Sequence, residues 1–204
     1  MTPARIAAFA VFLWILAPGW AAAGISDRAI DWLAGDYGIL LAGISPDWQQ
    51  HSEESLGASP MQPGIDRLIR FDNASTDAAH RGVWVGVSIF DRDKLQPFQA
   101  ARTVLYTEYK IDPSKDSVAF SDPRKVKAAS GEEFVVYAAR MRWRTASGGW
   151  SDQRYAALAV LDHLPEARRG LVLVGGVDEQ AAGDTQPDGI VIEDWVTKLK
   201  LEAR

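Results

Sequence analysis

The chain has 204 residues, of which 47% are hydrophobic, and its 22 Lys and Arg against 27 Asp and Glu give a net charge of −5. This acidic balance argues against nucleic acid as a partner, because phosphate binding needs a basic face. The absence of cysteine excludes disulfides, thiol catalysis, Cys-based zinc sites and a bacterial lipoprotein anchor. The stability of the fold therefore has to come from burial.

The N-terminus has the pattern of a secretory signal peptide. Arg5 is the one charged residue before the apolar run Ile6 to Leu16, a Pro-Gly pair interrupts that run, and Ala21 to Ala23 supply small residues. A helix that spans a bilayer needs about 20 apolar residues. We expect cleavage after Ala23, a periplasmic or secreted protein without a stable membrane span, and one globular domain over residues 24–204; an uncut anchor is the alternative.

Beyond this segment the sequence predicts short terminal helices and many strands. Ser26 can cap a helix through Ala34, since its hydroxyl can accept a hydrogen bond from the free amides of the first turn. Seven β-type runs are separated by turn-rich segments: Tyr37 to Ile44, Asp66 to Phe71, Val83 to Phe90, Thr103 to Ile111, Glu133 to Thr145, Trp150 to His163 and Gly170 to Val177. We predict a β-rich α+β domain, an antiparallel barrel or strongly curved sheet with N-terminal and C-terminal helices.

The segment WRTASGGWSD predicts a hairpin whose register follows from its charges. A four-residue loop over Ala146 to Gly149 sets Arg140 opposite Tyr155, whereas a five-residue loop would set Arg140 opposite Arg154. Like charges directly across a ladder are unfavourable, so we expect the first register. It also sets Thr145 opposite Trp150, Tyr137 opposite Leu158, and Ala139 opposite Ala156.

In that register Arg140, Arg142 and Arg144 share one face of the strand. They are a candidate anion-binding stripe, because guanidinium groups present forked donors that suit phosphate or carboxylate. The alternative is a solvated face that is neutralised by nearby acids and charged to discourage edge pairing.

Six tryptophans remain after removal of the signal peptide, and flat aromatic side chains suit apolar or aromatic ligands. Trp48 and Trp150 flank turns and are the ligand candidates, whereas Trp84 and Trp195 are expected in the core.

Glu108 lies on the predicted strand Thr103 to Ile111, where its carboxylate could hydrogen-bond a ligand inside a barrel. An exposed ion pair with Lys110 is the alternative interpretation.

No motif predicts a catalytic residue, a metal site or a cofactor. His51, His80 and His163 are too widely spaced for a ligand motif, and Gly86 to Phe90 lacks the second glycine of a nucleophile elbow. The sequence therefore favours a binding protein over an enzyme.

Two segments resemble the phycobiliprotein lyase family of the CpcT/CpeT type. DWLAGDY, over Asp31 to Tyr37, is similar to the opening motif of that family, and Arg102 to Pro123 resembles its basic strand followed by a second strand that ends in Asp-Pro. Together they cover about 30 residues of the chain. The resemblance implies a lipocalin-like antiparallel barrel and implies nothing about catalysis.

The segment DTQPDGIVIEDW, over Asp184 to Trp195, has the spaced acids and glycine of a calcium loop. Trp195 occupies the twelfth position, where calcium needs a bidentate Glu. We therefore predict the start of a C-terminal helix, capped by Asp188, whose apolar stripe is Val191, Ile192, Trp195, Val196 and Leu199.

Together these features predict an exported soluble binding domain for a small apolar or aromatic ligand. The alternative is an envelope interaction protein, an accessory subunit or inhibitor, that acts through the arginine-rich strand face or a sheet edge. The sequence leaves the ligand, the protein partner and the oligomeric state open.

Overall fold

A computed structural model describes residues 27–33, 37–42, 48–52, 62–73, 82–164, 168–177 and 192–203. Its elements in chain order are β1 (Asp27–Leu33), β2 (Tyr37–Ala42), β3 (Trp48–Ser52), β4 (Ile65–Asn73), β5 (Val83–Asp91), α1 (Pro97–Glu108), β6 (Ser117–Phe120), β7 (Arg124–Lys127), β8 (Glu133–Arg142), β9 (Arg154–Leu161), β10 (Arg169–Val177), α2 (Ile192–Lys198) and β11 (Leu199–Ala203). The predicted β-rich domain with antiparallel strands is confirmed.

The strands form two sheets in which every pairing between described strands is antiparallel. The larger has eight strands in the order β3-β4-β5-β10-β9-β8-β6, and β7 also pairs with β8. The smaller has the order β1-β2-β11. β3 and β6 end the larger sheet and do not pair with each other, so these described strands form an open sheet and not a closed barrel.

The middle of the large sheet is buried on both faces. On β10, the four residues Leu171 to Val174 are 0% exposed. Leu171 and Leu173 belong to one hydrophobic core, which includes Ile192 and Val196 of α2, whereas Val172 and Val174 belong to a second core with α1. A continuous apolar run with side chains on alternating faces is what a strand covered on both sides requires.

The helix α1 corrects the predicted strand Thr103 to Ile111. Pro97 occupies the first turn, where proline is favoured, and the buried residues lie at helical spacing: Ala100, Ala101, Val104 and Leu105. The Thr, Val and Tyr residues after position 102 indicate a strand by composition, but the two alanines just before them complete an apolar helical face. Packing of that face on the sheet outweighs the strand propensity.

The end of α1 lacks the glycine that commonly marks the end of a helix in a sequence. The amide of Ile111 donates to the carbonyl of Tyr106 at 2.9 Å, and that of Lys110 donates to the carbonyl of Thr107 at 3.3 Å. This is a Schellman arrangement, which usually has glycine at the left-handed position. Here that position is Lys110, with φ of 52°.

The predicted terminal helices have different outcomes. Residues 27–33 form β1, paired with β2, so the predicted helix from Ser26 to Ala34 is wrong, because the tertiary pairing outweighs a short capped helix. At the C-terminus, α2 over Ile192–Lys198 falls within the predicted helix, and Ile192 and Val196 are buried. Leu199, which the sequence predicts on the apolar stripe of that helix, instead begins β11. Asp184 to Val191, including the predicted cap Asp188, lie outside the described residues.

The hairpin register is confirmed along β8 and β9. Tyr137 pairs with Leu158, Ala139 with Ala156 and Arg140 with Tyr155. At the tip the register shifts by one, because Arg144 and not Thr145 bridges Trp150, and the loop spans five residues instead of four. The extra residue lies between Trp150 and Arg154, so the Arg140–Tyr155 pairing is kept.

Among the described residues, neither helix has the length and the apolar composition that crossing a membrane requires.

A substitution at Gly176 on β10 tests how closely the end of α1 packs on the sheet. A Cβ at this buried position would overlap the hydroxyl of Tyr109 and lie 2.8 Å from the Trp84 ring. We predict that Gly176→Ala lowers the free energy of unfolding by about 1–3 kcal/mol, the usual cost of overpacking, as measured by urea denaturation. Gly149→Ala at the exposed hairpin tip is the control and should have little effect; equal stability of the two variants would contradict this packing.

Candidate functional site

The structure brings part of the predicted site together at the β8–β9 hairpin. Arg140, Arg142 and Arg144 are exposed and lie on the same face. Trp150 is 40% exposed, and the guanidinium of Arg144 lies over its ring at 4.2 Å from the centroid. The stripe and Trp150 are therefore neighbours, although their role in binding stays a prediction.

Glu108 and Trp48 do not join this group. Glu108 is half-buried in the last turn of α1, on a helix and not on the strand predicted for it. The α1 core contains Ala139 and Met141 of β8, whereas Arg140 and Arg142 alternate with them and face the other way. Glu108 thus belongs to an element on the opposite face of the sheet. Trp48 begins β3 and pairs with Asn73, and its side chain lies outside the described residues.

The tryptophans expected in the core are packed there to different extents. Trp84 is 3% exposed and its ring lies 5.7 Å from that of Tyr109. Tyr109 in turn lies 6.3 Å from Trp143, so an aromatic row joins the end of α1 to the sheet. Trp195 is half-buried and its ring lies 6.0 Å from Phe71. Core placement is confirmed for Trp84 and is partial for Trp195.

A cleft that the sequence did not predict lies beside α1. Its volume is about 430 Å³, and its lining combines polar, aromatic and apolar side chains: Gln62, Gln99, Arg102, Thr103, Tyr106, Thr107, Ile111 and Pro113. The outward surface of the helix supplies Gln99, Arg102 and Tyr106, because its other face is buried. The predicted strand over 103–111 would not form this cleft, because only helical spacing makes Arg102 and Tyr106 neighbours.

Arg102 is the one charged side chain among the described residues that line the cleft. It is exposed, its guanidinium lies 5.9 Å from the centroid of the Tyr106 ring, and it forms no ion pair with any described carboxylate. A guanidinium within about 6 Å of an aromatic centroid is attracted by the ring, and its forked donors stay available for a carboxylate. The cleft therefore offers a cation beside an aromatic ring.

The loop after α1 forms one wall of the cleft through Ile111 and Pro113. The carboxylate of Asp112 accepts hydrogen bonds from the hydroxyl of Ser114 at 2.6 Å and from its amide at 3.0 Å. It also pairs with the Lys115 ammonium at 2.9 Å. These contacts, first that of the Ser114 hydroxyl, lower the pKa of Asp112 to about 2, because they favour the charged carboxylate.

Asp116 fastens the same loop to the hairpin. One carboxylate oxygen accepts the amide of Asp112 at 2.8 Å, and the other accepts the amide of Arg144 at 2.9 Å. The loop that walls the cleft on one side of the molecule is thus held to the segment that carries Trp150.

No protein-family model matches this chain, and no curated protein matches it. The resemblance to the CpcT/CpeT type of lyase stays a prediction. In the structure, its second segment forms α1 and β6 and not two consecutive strands.

The loop geometry predicts an unusual titration of Asp112. Because its pKa is lowered in the folded state, the stabilising contacts are complete above the ordinary value of 3.8 and are lost as the pH falls towards about 2. We predict that carbon-13 NMR of the Asp112 carboxyl shows a midpoint of about 2, and that Ser114→Ala raises it. A midpoint near 3.8 in the unmodified protein would contradict the hydrogen bonding described here.

Proposed function

We propose that this protein is an exported binding domain whose cleft beside α1 takes a small ligand with an aromatic or apolar body and an anionic group. The observation that carries the proposal is Arg102, which lies over Tyr106 in the cleft without a carboxylate partner among the described residues. Export rests on the N-terminal pattern up to Ala23. The strong curvature of the sheet also stays part of the proposal.

The size and lining of the cleft support a small ligand. A volume of about 430 Å³ falls within the roughly 300–1,000 Å³ that is usual for ligand pockets. Tyr106, Ile111 and Pro113 supply aromatic and apolar surface for the body of the ligand. Gln62 and Gln99 supply amide groups that can hydrogen-bond its polar atoms.

Recognition fits this cleft better than acid–base catalysis. None of the described lining residues is His, Asp or Glu, the side chains that most often move protons in active sites. The guanidinium of Arg102 stays charged at any working pH. A carboxylate ligand would replace some of the water around that guanidinium and stack its apolar part on Tyr106.

Arg102→Gln tests this assignment. We predict that an aromatic carboxylate such as indole-3-acetate binds the parent protein, and that the variant binds it about tenfold more weakly, because a charge-assisted hydrogen bond is lost. Indole-3-acetamide, which has the same ring without the charge, should bind weakly to both proteins. Isothermal titration calorimetry measures the affinities.

Arg140→Gln is the matched control, because it removes the same charge from the opposite face of the sheet. It should bind indole-3-acetate as the parent does. Equal loss in both variants, or equal binding of a panel of aromatic acids and their amides, would contradict a cleft that selects an anionic ligand.

A further inference from the structure

β8 and the segment that follows it carry three exposed arginines on one face, Arg140, Arg142 and Arg144, whose surroundings differ. Arg144 is engaged within its own hairpin, since Nη1 donates to the carbonyl of Gly148 at 2.7 Å and the guanidinium lies over Trp150. Nε of Arg142 donates to the carbonyl of Ser151 at 3.2 Å. The side chain of Arg140 forms no hydrogen bond or ion pair with any described residue.

Arg140 and Arg142 thus keep donors that the described part of the fold does not use. Both Nη groups of Arg142 and the whole guanidinium of Arg140 face solvent. At the hairpin tip, the carboxylate of Asp116 accepts the backbone amide of Arg144, whereas no described carboxylate pairs with the side chain of Arg140 or Arg142.

Several side chains next to Arg140 and Arg142 are small. On β6, Ala119 pairs with Arg140 and Ser117 pairs with Arg142, and both are exposed. Ala138, the preceding residue on the same face of β8, is also exposed. Small neighbours leave room for another chain to lie along β8 and reach both guanidinium groups from the front.

The spacing of the two arginines selects the form of the partner. Residues i and i+2 of a strand lie about 6.7 Å apart on one face. Carboxylates on alternate residues of an extended chain have the same repeat, and each can accept a forked pair of hydrogen bonds from one guanidinium. A peptide with acids in blocks would direct half of them away from the surface.

We propose that Arg140 and Arg142 form a docking surface for an extended acidic segment of a partner protein, with Asp or Glu at alternate positions. This inference is separate from the cleft, which lies on the other face of the sheet. It assigns the second face to a protein partner by charge complementarity and repeat distance. Tyr155, which pairs with Arg140 on the neighbouring strand and is half-buried, borders this surface.

Two labelled peptides of equal composition test the proposal by fluorescence anisotropy. One alternates Glu and Thr over eight residues, and the other has the same residues as two Glu-Glu-Thr-Thr blocks. We expect the alternating peptide to bind more tightly, and Arg140→Glu with Arg142→Glu to weaken its binding about tenfold. Lys substitutions at both positions keep the charge but lose the fork, and should give a smaller loss.

The control for net charge is Lys127→Glu with Lys200→Glu, since both lysines are exposed and neither side chain forms a hydrogen bond or ion pair with a described residue. This pair should bind the alternating peptide as the parent does. Arg140→Glu alone is the control for a folding defect, because the Arg140 side chain forms no hydrogen bond or ion pair with a described residue. A parental melting temperature with weakened binding supports the proposal.

Three results would overturn it: equal binding of the two peptides, equal loss in the arginine and lysine double variants, or binding that depends on Arg140 for inorganic polyphosphate or anionic vesicles but not for either peptide. The last result would assign the face to phosphate groups instead of a protein. Unchanged peptide binding in Arg102→Gln would show that this surface acts independently of the cleft.

Discussion

Burial of both faces of the central strands is the constraint on which the rest of this fold depends. The chain has no cysteine, so no disulfide supports the fold and its stability depends on burial. In β10, four consecutive residues are 0% exposed. Each face needs its own cover, and the chain supplies α1 for one and α2 with strand β11 for the other. Glycine at position 176 lets the end of α1 approach the sheet closely enough to complete the first cover.

This arrangement limits the space that the fold leaves for the proposed ligand. A sheet packed on both faces has little internal space left, in contrast to a barrel that encloses its ligand. The cleft therefore forms outside the core, where the outward residues of α1 meet the loop that follows it. The second available surface is the part of β8 beyond Val136, where buried residues give way to Ala138, Arg140 and Arg142 on the face that α2 covers elsewhere.

The sequence predicts those features that depend on local pattern or on one pairing choice. The repulsion between Arg140 and Arg154 predicts the register of β8 and β9 correctly, although not that of the hairpin tip. The apolar run 170–177 places β10. Prediction from the sequence fails where tertiary contacts decide between two local structures. Residues 27–33 become a strand by pairing with β2, and 103–108 become helical because Ala100 and Ala101 extend the buried face. The lining of the cleft depends on that helix, so a sequence interpretation with a strand at 103–111 does not predict it. The end of the helix is also hard to predict, because Lys110 and not glycine occupies the left-handed position there.

The central claim is that small ligands bind on the outer surface of α1, and NMR chemical-shift mapping with nitrogen-15-labelled protein tests it most directly. Titration with indole-3-acetate should shift the amides of Gln99 to Thr107 and of Ile111, with smaller changes on β8. Shifts that cluster at the hairpin tip around Trp150, or that spread evenly over the two hydrophobic cores, would contradict the claim.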